Sequence, residues 1–409
     1  MAGVLIASAL AWAQPLIPVL PRRSYEVRVP DSTGKLHPLV AKGTSTFSMY
    51  VCGITPYDAT HLGHAATYIV FDVLNRVARD SGLNVHFVEN VTDVDDPLFE
   101  RARLTNREWQ EIASEQTTLF KSDMTALNVI PPDNFVWASD AIGPVIDLVE
   151  GLIEKGRTYR IDNKLYLDVA GASTIEAAQK LNDQKLIDLV RQRGGDPDTS
   201  GKHGPLDPVV WVVSDSEPCW VAPFGTGRPG WHVECVAIAN QEIGLPFDLQ
   251  GGGADLIFPH HQMCSATAEL WRSDTLARRY MHTGLIWLGD EKMSKSLGNL
   301  VFVSQLLADG VDPMQIRLAL LDRDWRADLH WSDKSLKDAE ARLTLWQVAA
   351  RGQKSGDDGE QLARLRSLLA NGLDTEEALQ TMDEWSRACT DRHLFASASD
   401  ALLGVRLTP

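Results

Sequence analysis

Apolar and polar residues first form an ordered pattern between positions 47 and 88. The run 47–52 is short and mainly apolar, and the turn-forming segment 53–56 follows it at once, which predicts a buried strand. Apolar residues then recur at helical spacing over 65–77, and a second strand is predicted at 85–88. A strand, a helix and a strand in this order predict a parallel sheet whose ligands bind beyond the carboxyl ends of the strands. The residues that directly follow both strands are therefore expected at one crevice.

The pattern changes along the rest of the chain. Residues 98–160 are predicted to be mainly helical, and the stretch 186–230, rich in Gly, Pro and Asp, predicts an insertion over the crevice. A second set of strand-like runs occupies 231–296, and from about 312 the pattern is helical to the end. The predicted core positions of this helical bundle are Leu318, Leu320, Leu321, Leu343, Leu345, Trp346, Leu362, Leu365 and Leu368.

These elements predict an α/β protein with a Rossmann-like parallel sheet, an inserted subdomain and a C-terminal helical bundle. The predicted domains are an N-terminal arm (1–45), a catalytic domain (46–300) with the insertion around 130–230, and the bundle (301–409). The first twenty residues resemble an export signal but lack a positively charged start, so a disordered arm or a mis-assigned start codon explains them as well. No later run reaches the ~18 apolar residues that a membrane span needs.

Composition fits a packed enzyme, since 44% of the 409 residues are hydrophobic and 23% are charged. The formal net charge of -16 disfavours a sequence-independent grip on nucleic acid, although it does not exclude a local basic patch. Five cysteines without a short disulfide framework are typical of reduced thiols or metal ligands, and so of a cytoplasmic protein. These cysteines are Cys52, Cys219, Cys235, Cys264 and Cys389.

Two motifs that could bind phosphate stand more than two hundred residues apart. His61-Leu62-Gly63-His64 lies where the first strand turns into its helix, and the N–H groups and partial positive charge of a helix start attract phosphates. Lys292-Met293-Ser294-Lys295-Ser296 would form a cationic loop that follows a triphosphate as charge moves to the leaving pyrophosphate. Either motif alone is more often an ordinary surface feature. Together they resemble the HxGH and KMSKS motifs of class I aminoacyl-tRNA synthetases.

Three residues have the ligand chemistry of zinc: Cys52, Cys235 and His260. A three-ligand site leaves a fourth position open for a substrate sulfur, which would favour cysteine over serine. Each residue alone also fits a buried thiol or a packed histidine. Their contexts resemble those of cysteinyl-tRNA synthetases, whose aligned residues hold such a zinc.

The sequence departs from the tRNA enzymes four residues after His260, where Cys264 replaces a glutamate that can approach the zinc there. On a helix the two residues would share a face, so Cys264 could ligate. A further protein thiolate, as a fourth ligand, would compete with the substrate sulfur for the open position. We therefore expect Cys264 to be a small buried thiol.

Residues 46–300 resemble the catalytic domain of cysteinyl-tRNA synthetases, and several details resemble their relatives, the mycothiol cysteine ligases. These details are the stretch 53–64, Pro97 in place of an expected lysine, and the loop 193–197, although Gln192 stands where that loop usually begins with Glu. The alternatives are a cysteinyl-tRNA synthetase and a non-catalytic binding module. The tail 301–409 holds 13 Lys plus Arg against 18 Asp plus Glu, which disfavours a tRNA reader.

The resemblance implies a class I synthetase-type fold that ligates L-cysteine, through a zinc-bound cysteinyl-AMP, to the amino group of glucosaminyl-inositol, releasing AMP and pyrophosphate. His61 and His64 would stabilise the α-phosphate, while Lys292 and Lys295 would hold the β- and γ-phosphates of ATP with Mg²⁺; Asp58 is a candidate base. We expect a cytoplasmic monomer with neither tRNA nor membrane as a partner. The implied cysteinyl-AMP pocket comprises Cys52, Gly53, Ile54, Thr55, Thr67, Asn90, Val91, Thr92, Trp231, Gly253, Ala254, Asp255 and Ile286.

Overall fold

A computed structural model describes residues 11–21, 24–57, 60–289, 291–293, 298–351 and 356–407, without the side chains of 180–183 and Lys292. In chain order the strands are β1 (Arg28–Pro30), β2 (Leu36–Pro38), β3 (Thr46–Ile54), β4 (Asn84–Val91), β5 (Asn134–Trp137), β6 (Thr158–Ile161), β7 (Lys164–Leu167), β8 (Val209–Val213), β9 (Gly227–Pro229), β10 (Phe247–Gly253), β11 (Ala277–Thr283), β12 (Ile286–Leu288), β13 (Glu291–Lys292) and β14 (Leu329–Trp331). The α-helices are α1 (Leu62–Asp80), α2 (Asp96–Thr105), α3 (Trp109–Ala126), α4 (Ile142–Glu154), α5 (Ser173–Gln192), α6 (Trp231–Glu242), α7 (Gln262–Arg272), α8 (Val303–Ala308), α9 (Pro313–Leu321), α10 (Asp333–Ala350), α11 (Gly359–Ala370), α12 (Thr375–Ala388) and α13 (Arg392–Leu403).

A five-stranded parallel sheet forms the centre, with the order β11-β10-β3-β4-β5. The predicted strand, helix and strand are confirmed as β3, α1 and β4, because their long apolar runs bury the sheet and one side of the helix. The α/β prediction is confirmed by this sheet. Strand β5 was not predicted, since the helical pattern of 98–160 hides four half-buried residues that pair with β4.

An antiparallel sheet of order β6-β7-β8-β9 lies between α4 and α6 in the chain. This inserted sheet begins at Thr158, whereas β5, which the sequence assigned to the same insertion, completes the central sheet. The stretch 186–230, which was predicted to form an insertion over the crevice, begins within α5, since that helix continues to Gln192. The strands predicted within 231–296 are present as β10 to β13, but the same range also contains the helices α6 and α7, which were not predicted.

The C-terminal helices pack on α1. Seven of the nine predicted core residues are buried, but Leu345 and Leu368 are only partly so, and Leu369 takes the core position beside Leu368. A buried ionic group links α1 to the C-terminal helices. In it, Asp72 of α1 accepts hydrogen bonds from Arg76 of the same helix and from Arg317 of α9. Both arginine side chains and the carboxylate are 0% exposed, so each charge depends on the others for compensation.

Residues 11–21 of the arm pack against this core, so the disordered arm considered above is wrong for them. Trp12 is buried, lies edge-on to Phe120 and Phe135, and donates its indole N–H to the carbonyl of Val129 at 2.9 Å. Core packing therefore accounts for part of the apolar character of this segment, while residues 1–10 lie outside the described residues. In the described part of the chain, every helix is too short or too polar to span a bilayer.

Candidate active site

A cavity of about 550 Å³ opens at the carboxyl ends of β3, β4 and β10. Most of the residues predicted from the sequence line it, which fits the crevice expected at the strand ends. Ile54, Asn90, Val91 and Ala254 are absent from the lining and lie behind or beside the wall. The predicted residues in the lining are Cys52, Gly53, Thr55, His61, His64, Thr67, Thr92, Trp231, Cys235, Gly253, Asp255, His260 and Ile286.

The floor of the cavity depends on close contact between the ends of β3 and β4. Gly53 N donates to Asn90 Oδ1 at 3.0 Å, and Asn90 Nδ2 donates to Thr92 Oγ1 at 2.9 Å. A Cβ on Gly53 would stand 1.5 Å from the carbonyl oxygen of Asn90, so only glycine fits here. Asn90 thus supports the wall from behind, although it does not line the cavity.

The HxGH motif forms the start of α1, as predicted. His61 is the N-cap, and its Nδ1 accepts hydrogen bonds from the backbone N–H of Gly63 at 3.1 Å and of His64 at 3.4 Å. The two imidazole rings stack with centroids 3.8 Å apart. His61 therefore satisfies two of the N–H groups that the sequence argument reserved for phosphate, and both histidines line the cavity.

The KMSKS segment begins in the hairpin of β12 and β13. Met293 lines the cavity and its N–H donates to the carbonyl of Ile286 at 3.0 Å. The chain that follows the segment returns to α1, where Leu62 N donates to Val301 O at 2.9 Å. The side chain of Lys292, together with Lys295 and Asp58, lies outside the described residues.

Thiols and imidazoles meet at the floor of the cavity. Cys52 Sγ is 4.0 Å from Cys235 Sγ and 3.2 Å from His261 Nε2. The ligand atoms of Cys52, His260 and His261 all lie within 4.8 Å of one another. This spacing lets them converge on one metal ion. The predicted set was Cys52, Cys235 and His260; the group with this spacing holds Cys52 and His260 together with His261, which the sequence argument did not select, and Cys235 adjoins it through its sulfur contact with Cys52.

A second group shares His260 with the first. The ligand atoms of His232, His260 and Cys264 also lie within 4.8 Å of one another, and the two imidazole Nδ1 atoms are 3.0 Å apart. Cys264 is buried and its thiol donates to the carbonyl of His232 at 3.3 Å. That contact fits the small buried thiol that we expect, although its distance of 3.8 Å from His260 Nε2 also places it among the atoms of this second group.

Burial sets the protonation states of these groups. It lowers the pKa values of His260 and His261 well below the ordinary value, so both imidazoles are neutral at pH 7. Burial also raises the pKa of the Cys52 thiol, whereas hydrogen bonds from Cys52 and then Tyr50 lower the pKa of Cys235. Zinc binds neutral imidazoles directly and displaces the proton of a thiol when it binds the sulfur, so the chemistry of this donor set fits a zinc ion.

Neighbouring side chains orient the Cys/His group. Trp231 stacks on His260 with ring centroids 4.2 Å apart, and His261 Nδ1 lies 2.7 Å from His282 Nε2. Gln250 Nε2 donates to Cys52 Sγ at 3.4 Å. Trp231 begins α6, so it lies one helical turn from Cys235, as the sequence suggested for a helical segment.

Sequence reasoning missed several residues of the wall. His261, which adjoins the wall in the group with Cys52 and His260, was also missed although it is the second member of a histidine pair, whereas Arg193 lines the cavity and belongs to the loop 193–197 that the resemblance singled out. The others are ordinary residues that only the fold brings to the cavity. They are Tyr57, Tyr68, Leu256, Gly284, Leu285 and Leu300.

Comparison with known proteins places this geometry in a family. Residues 39–341 match the model for the tRNA synthetases class I (C) catalytic domain. The chain resembles in fold the Mycobacterium tuberculosis methionyl-tRNA synthetase in complex with methionyl-adenylate, with a TM-score of 0.61, 17% identity, and coverage of 88% of this chain and 90% of that one. A putative arginyl-tRNA synthetase from Campylobacter jejuni gives a TM-score of 0.54 at 14% identity, with 89% and 94% of the two chains covered.

Two relatives match over nearly the whole chain. The L-cysteine:1D-myo-inositol 2-amino-2-deoxy-alpha-D-glucopyranoside ligase of Rhodococcus jostii is 48% identical over 97% of this chain and 99% of its own length. The ligase of the same name from Acidothermus cellulolyticus is 48% identical over 97% of this chain and 100% of its own length. The chain therefore belongs to the class I (C) synthetase family and, within it, to the L-cysteine:1D-myo-inositol 2-amino-2-deoxy-alpha-D-glucopyranoside ligases.

Proposed function

We propose that this chain ligates L-cysteine to the amino group of 1D-myo-inositol 2-amino-2-deoxy-alpha-D-glucopyranoside at the expense of ATP, a step of mycothiol biosynthesis. The relatives that bear this name cover its full length at 48% identity. The observation that carries the chemistry is that the HxGH histidines and the Cys/His group line one cavity. The cavity can therefore bind the nucleotide and the thiol of cysteine close to each other.

Cysteine selection is assigned to a zinc ion held by Cys52, Cys235 and His260. When bound, zinc would take the thiolate of the substrate at its open position, since sulfur is a better zinc ligand than the hydroxyl of serine. His261 contacts Cys52 and orients its sulfur, and Trp231 packs on His260 at the side that faces the cavity. Cys264 is kept outside the ligand set because a fourth protein ligand would displace the substrate.

Activation is assigned to the motifs that face the nucleotide. A carboxylate oxygen of cysteine attacks the α-phosphorus of ATP, and the bond to pyrophosphate breaks. His61 and His64 stabilise the charge on the α-phosphate, while Lys292 and Lys295 accompany the leaving pyrophosphate with Mg²⁺. The predicted cysteinyl-AMP pocket surrounds these groups. The neutral amine of the acceptor then attacks the acyl carbon, the bond to AMP breaks, and an amide forms.

A small acceptor fits the charge distribution better than tRNA does. Cationic side chains of the C-terminal helices form ion pairs with carboxylates of the same chain: Arg342 binds Asp322 and Asp383, and Arg366 binds Asp80. A phosphate backbone needs cations that are free to replace counterions. We propose a monomer that works in the cytoplasm, where ATP is available and the five free thiols stay reduced.

The test compares two acceptors with one enzyme preparation. With L-cysteine and ATP, the protein should form an amide with glucosaminyl-inositol and release AMP and pyrophosphate, and it should not charge tRNA measurably. Cysteine-dependent ATP–pyrophosphate exchange must be measured in parallel, since it reports activation alone. Synthetase-like formation of cysteinyl-tRNA by a preparation that leaves the amino sugar untouched would overturn the proposal.

A further inference from the structure

Two residues at the end of α5 bring the inserted subdomain to the wall of the cavity. Gln192 ends the helix, Arg193 follows it, and both line the cavity. Arg193 Nη2 lies 3.3 Å from the carboxylate Oδ2 of Asp255 and 3.3 Å from its carbonyl oxygen. Asp255 belongs to the turn that follows β10 of the central sheet. This contact therefore joins the insertion to the central sheet at the edge of the nucleotide cavity.

The loop that carries Arg193 is fixed in the inserted subdomain by Asp196. Its Oδ2 accepts hydrogen bonds from Lys164 Nζ at 2.7 Å and from the hydroxyl of Tyr166 at 2.6 Å, and Lys202 Nζ approaches Oδ1 at 3.3 Å. A Cβ on Gly195 would stand 2.4 Å from a methyl group of Val190, so the turn closes tightly on the helix. The base of Arg193 is thus held in place before any substrate binds.

The positive charge of Arg193 balances the negative charge of Asp255 in the cavity wall. Among the lining residues that the structure describes, it alone carries a permanent positive charge, and Asp255 is the carboxylate beside it. An uncompensated carboxylate would repel the phosphates of ATP within a cavity of low dielectric. The two side chains are only about one third exposed, at 33% and 32%, so solvent screens their attraction incompletely.

We propose that Arg193 is a positioning residue that orients and neutralises Asp255, and thereby sets the affinity of the cavity for ATP. The inference rests on the proposed function, which makes the cavity a site for ATP, and it deepens that function by giving the inserted subdomain a part in nucleotide binding. Arg193 acts through Asp255, whose turn approaches the nucleotide. It is not assigned a contact with the reacting atoms or with the zinc.

The test compares Arg193→Gln with Arg191→Gln. Arg191 lies on the same helix two residues earlier, binds Asp198 in the exposed rim and does not line the cavity. Calorimetric titration with ATP in the absence of cysteine should show about fivefold weaker binding for Arg193→Gln, the scale of one partly exposed ion pair. In cysteine-dependent ATP–pyrophosphate exchange, the KM for ATP should rise by the same factor while kcat changes by less than about twofold. Arg193→Lys should recover part of the affinity, and Arg191→Gln should match the wild type.

A double-variant cycle separates positioning from direct binding. If Arg193 acts by cancelling the charge of Asp255, adding Asp255→Asn to Arg193→Gln should restore most of the ATP affinity that Arg193→Gln loses. Independent, additive losses would mean that Arg193 binds the nucleotide itself, and would overturn the proposal. An unchanged ATP affinity in Arg193→Gln would also overturn it, as would a loss explained by a lower melting temperature. If the wild type binds ATP but shows no exchange with cysteine, the proposed function fails while the titration still decides the role of Arg193.

Discussion

Replacing Gly53 with alanine should damage the cavity from its floor. An added Cβ would lie 1.5 Å from the carbonyl oxygen of Asn90 and 2.7 Å from its carbonyl carbon. Carbon and oxygen atoms that are not bonded approach to roughly 3.3 Å. The two backbones would therefore have to separate by about 2 Å at this point. No side-chain rotation can relieve the clash, because the obstacle is the backbone of a buried strand.

The size of the effect follows from what this separation breaks. The hydrogen bond from Gly53 N to Asn90 Oδ1, 3.0 Å long, would be lost at a cost of about 1 kcal/mol. Overpacking of a well-packed interior adds about 1–3 kcal/mol. We expect a total near 3 kcal/mol. The neighbouring Cys52 would also move relative to Cys235 and His261, and a shift of about 1 Å in a reacting constellation can cost 100-fold in rate.

The matched control is Gly143→Ala, at an exposed position of α4 where an added Cβ meets nothing within 4 Å. Thermal unfolding, zinc content and ATP–pyrophosphate exchange should be measured for both variants. Gly143→Ala should be neutral or slightly stabilising, since alanine favours helix by up to about 1 kcal/mol over glycine. Gly53→Ala should melt lower and lose at least 100-fold in exchange. A Gly53→Ala protein with the melting temperature and exchange rate of the wild type would refute the close approach of the two strands.

Zinc content and pH dependence supply two further tests. Purified protein should carry about one zinc per chain, and Cys235→Ser should lose both the metal and cysteine activation. The control Cys389→Ser, in the C-terminal helices, should keep both. Full ATP–pyrophosphate exchange by metal-free protein would contradict the zinc site. Burial raises the pKa of Asp123 from 3.8 to about 7. The folded state then holds a proton that the unfolded state has lost, so stability falls as pH rises from about 4 through 7. Asp123→Asn should remove the destabilisation caused by ionising this buried carboxyl. The increase in unfolding free energy should be larger at about pH 8 than at about pH 6, by about 1 kcal/mol. An equal increase at both pH values would argue against the raised pKa of Asp123.

Local patterns predict the β3, α1 and β4 unit because each element carries its own signal. The apolar run of β3 is long enough to span the sheet, and α1 shows helical spacing and a polar cap at His61. Strand β5 carries no such signal. Its four residues, Asn134 to Trp137, are all half-buried and stand between helices, and only the edge of β4 makes them a strand.

The composition of the Cys/His group depends on contacts that no local pattern contains. Cys52 and His261 are 209 positions apart, and resemblance to known enzymes identified Cys52, Cys235 and His260 without His261. Adjacent residues of a regular strand point in opposite directions. Here the irregular turn Ile257–His261 buries both histidines, at 1% and 2% exposure, so both can reach the floor.

The C-terminal helices serve the active site through α1. Asp72 on the buried side of α1 binds Arg317 of α9, and Arg317 also donates to the carbonyls of Leu403 and Leu127 at 2.6 and 2.9 Å. Removing the bundle would take away Arg317, leave Asp72 with Arg76 as its remaining arginine partner, and expose the apolar side of α1 that the bundle covers. Helix α1 begins at the HxGH histidines, so its position fixes theirs. The bundle therefore contributes to the active site by holding this helix against the sheet.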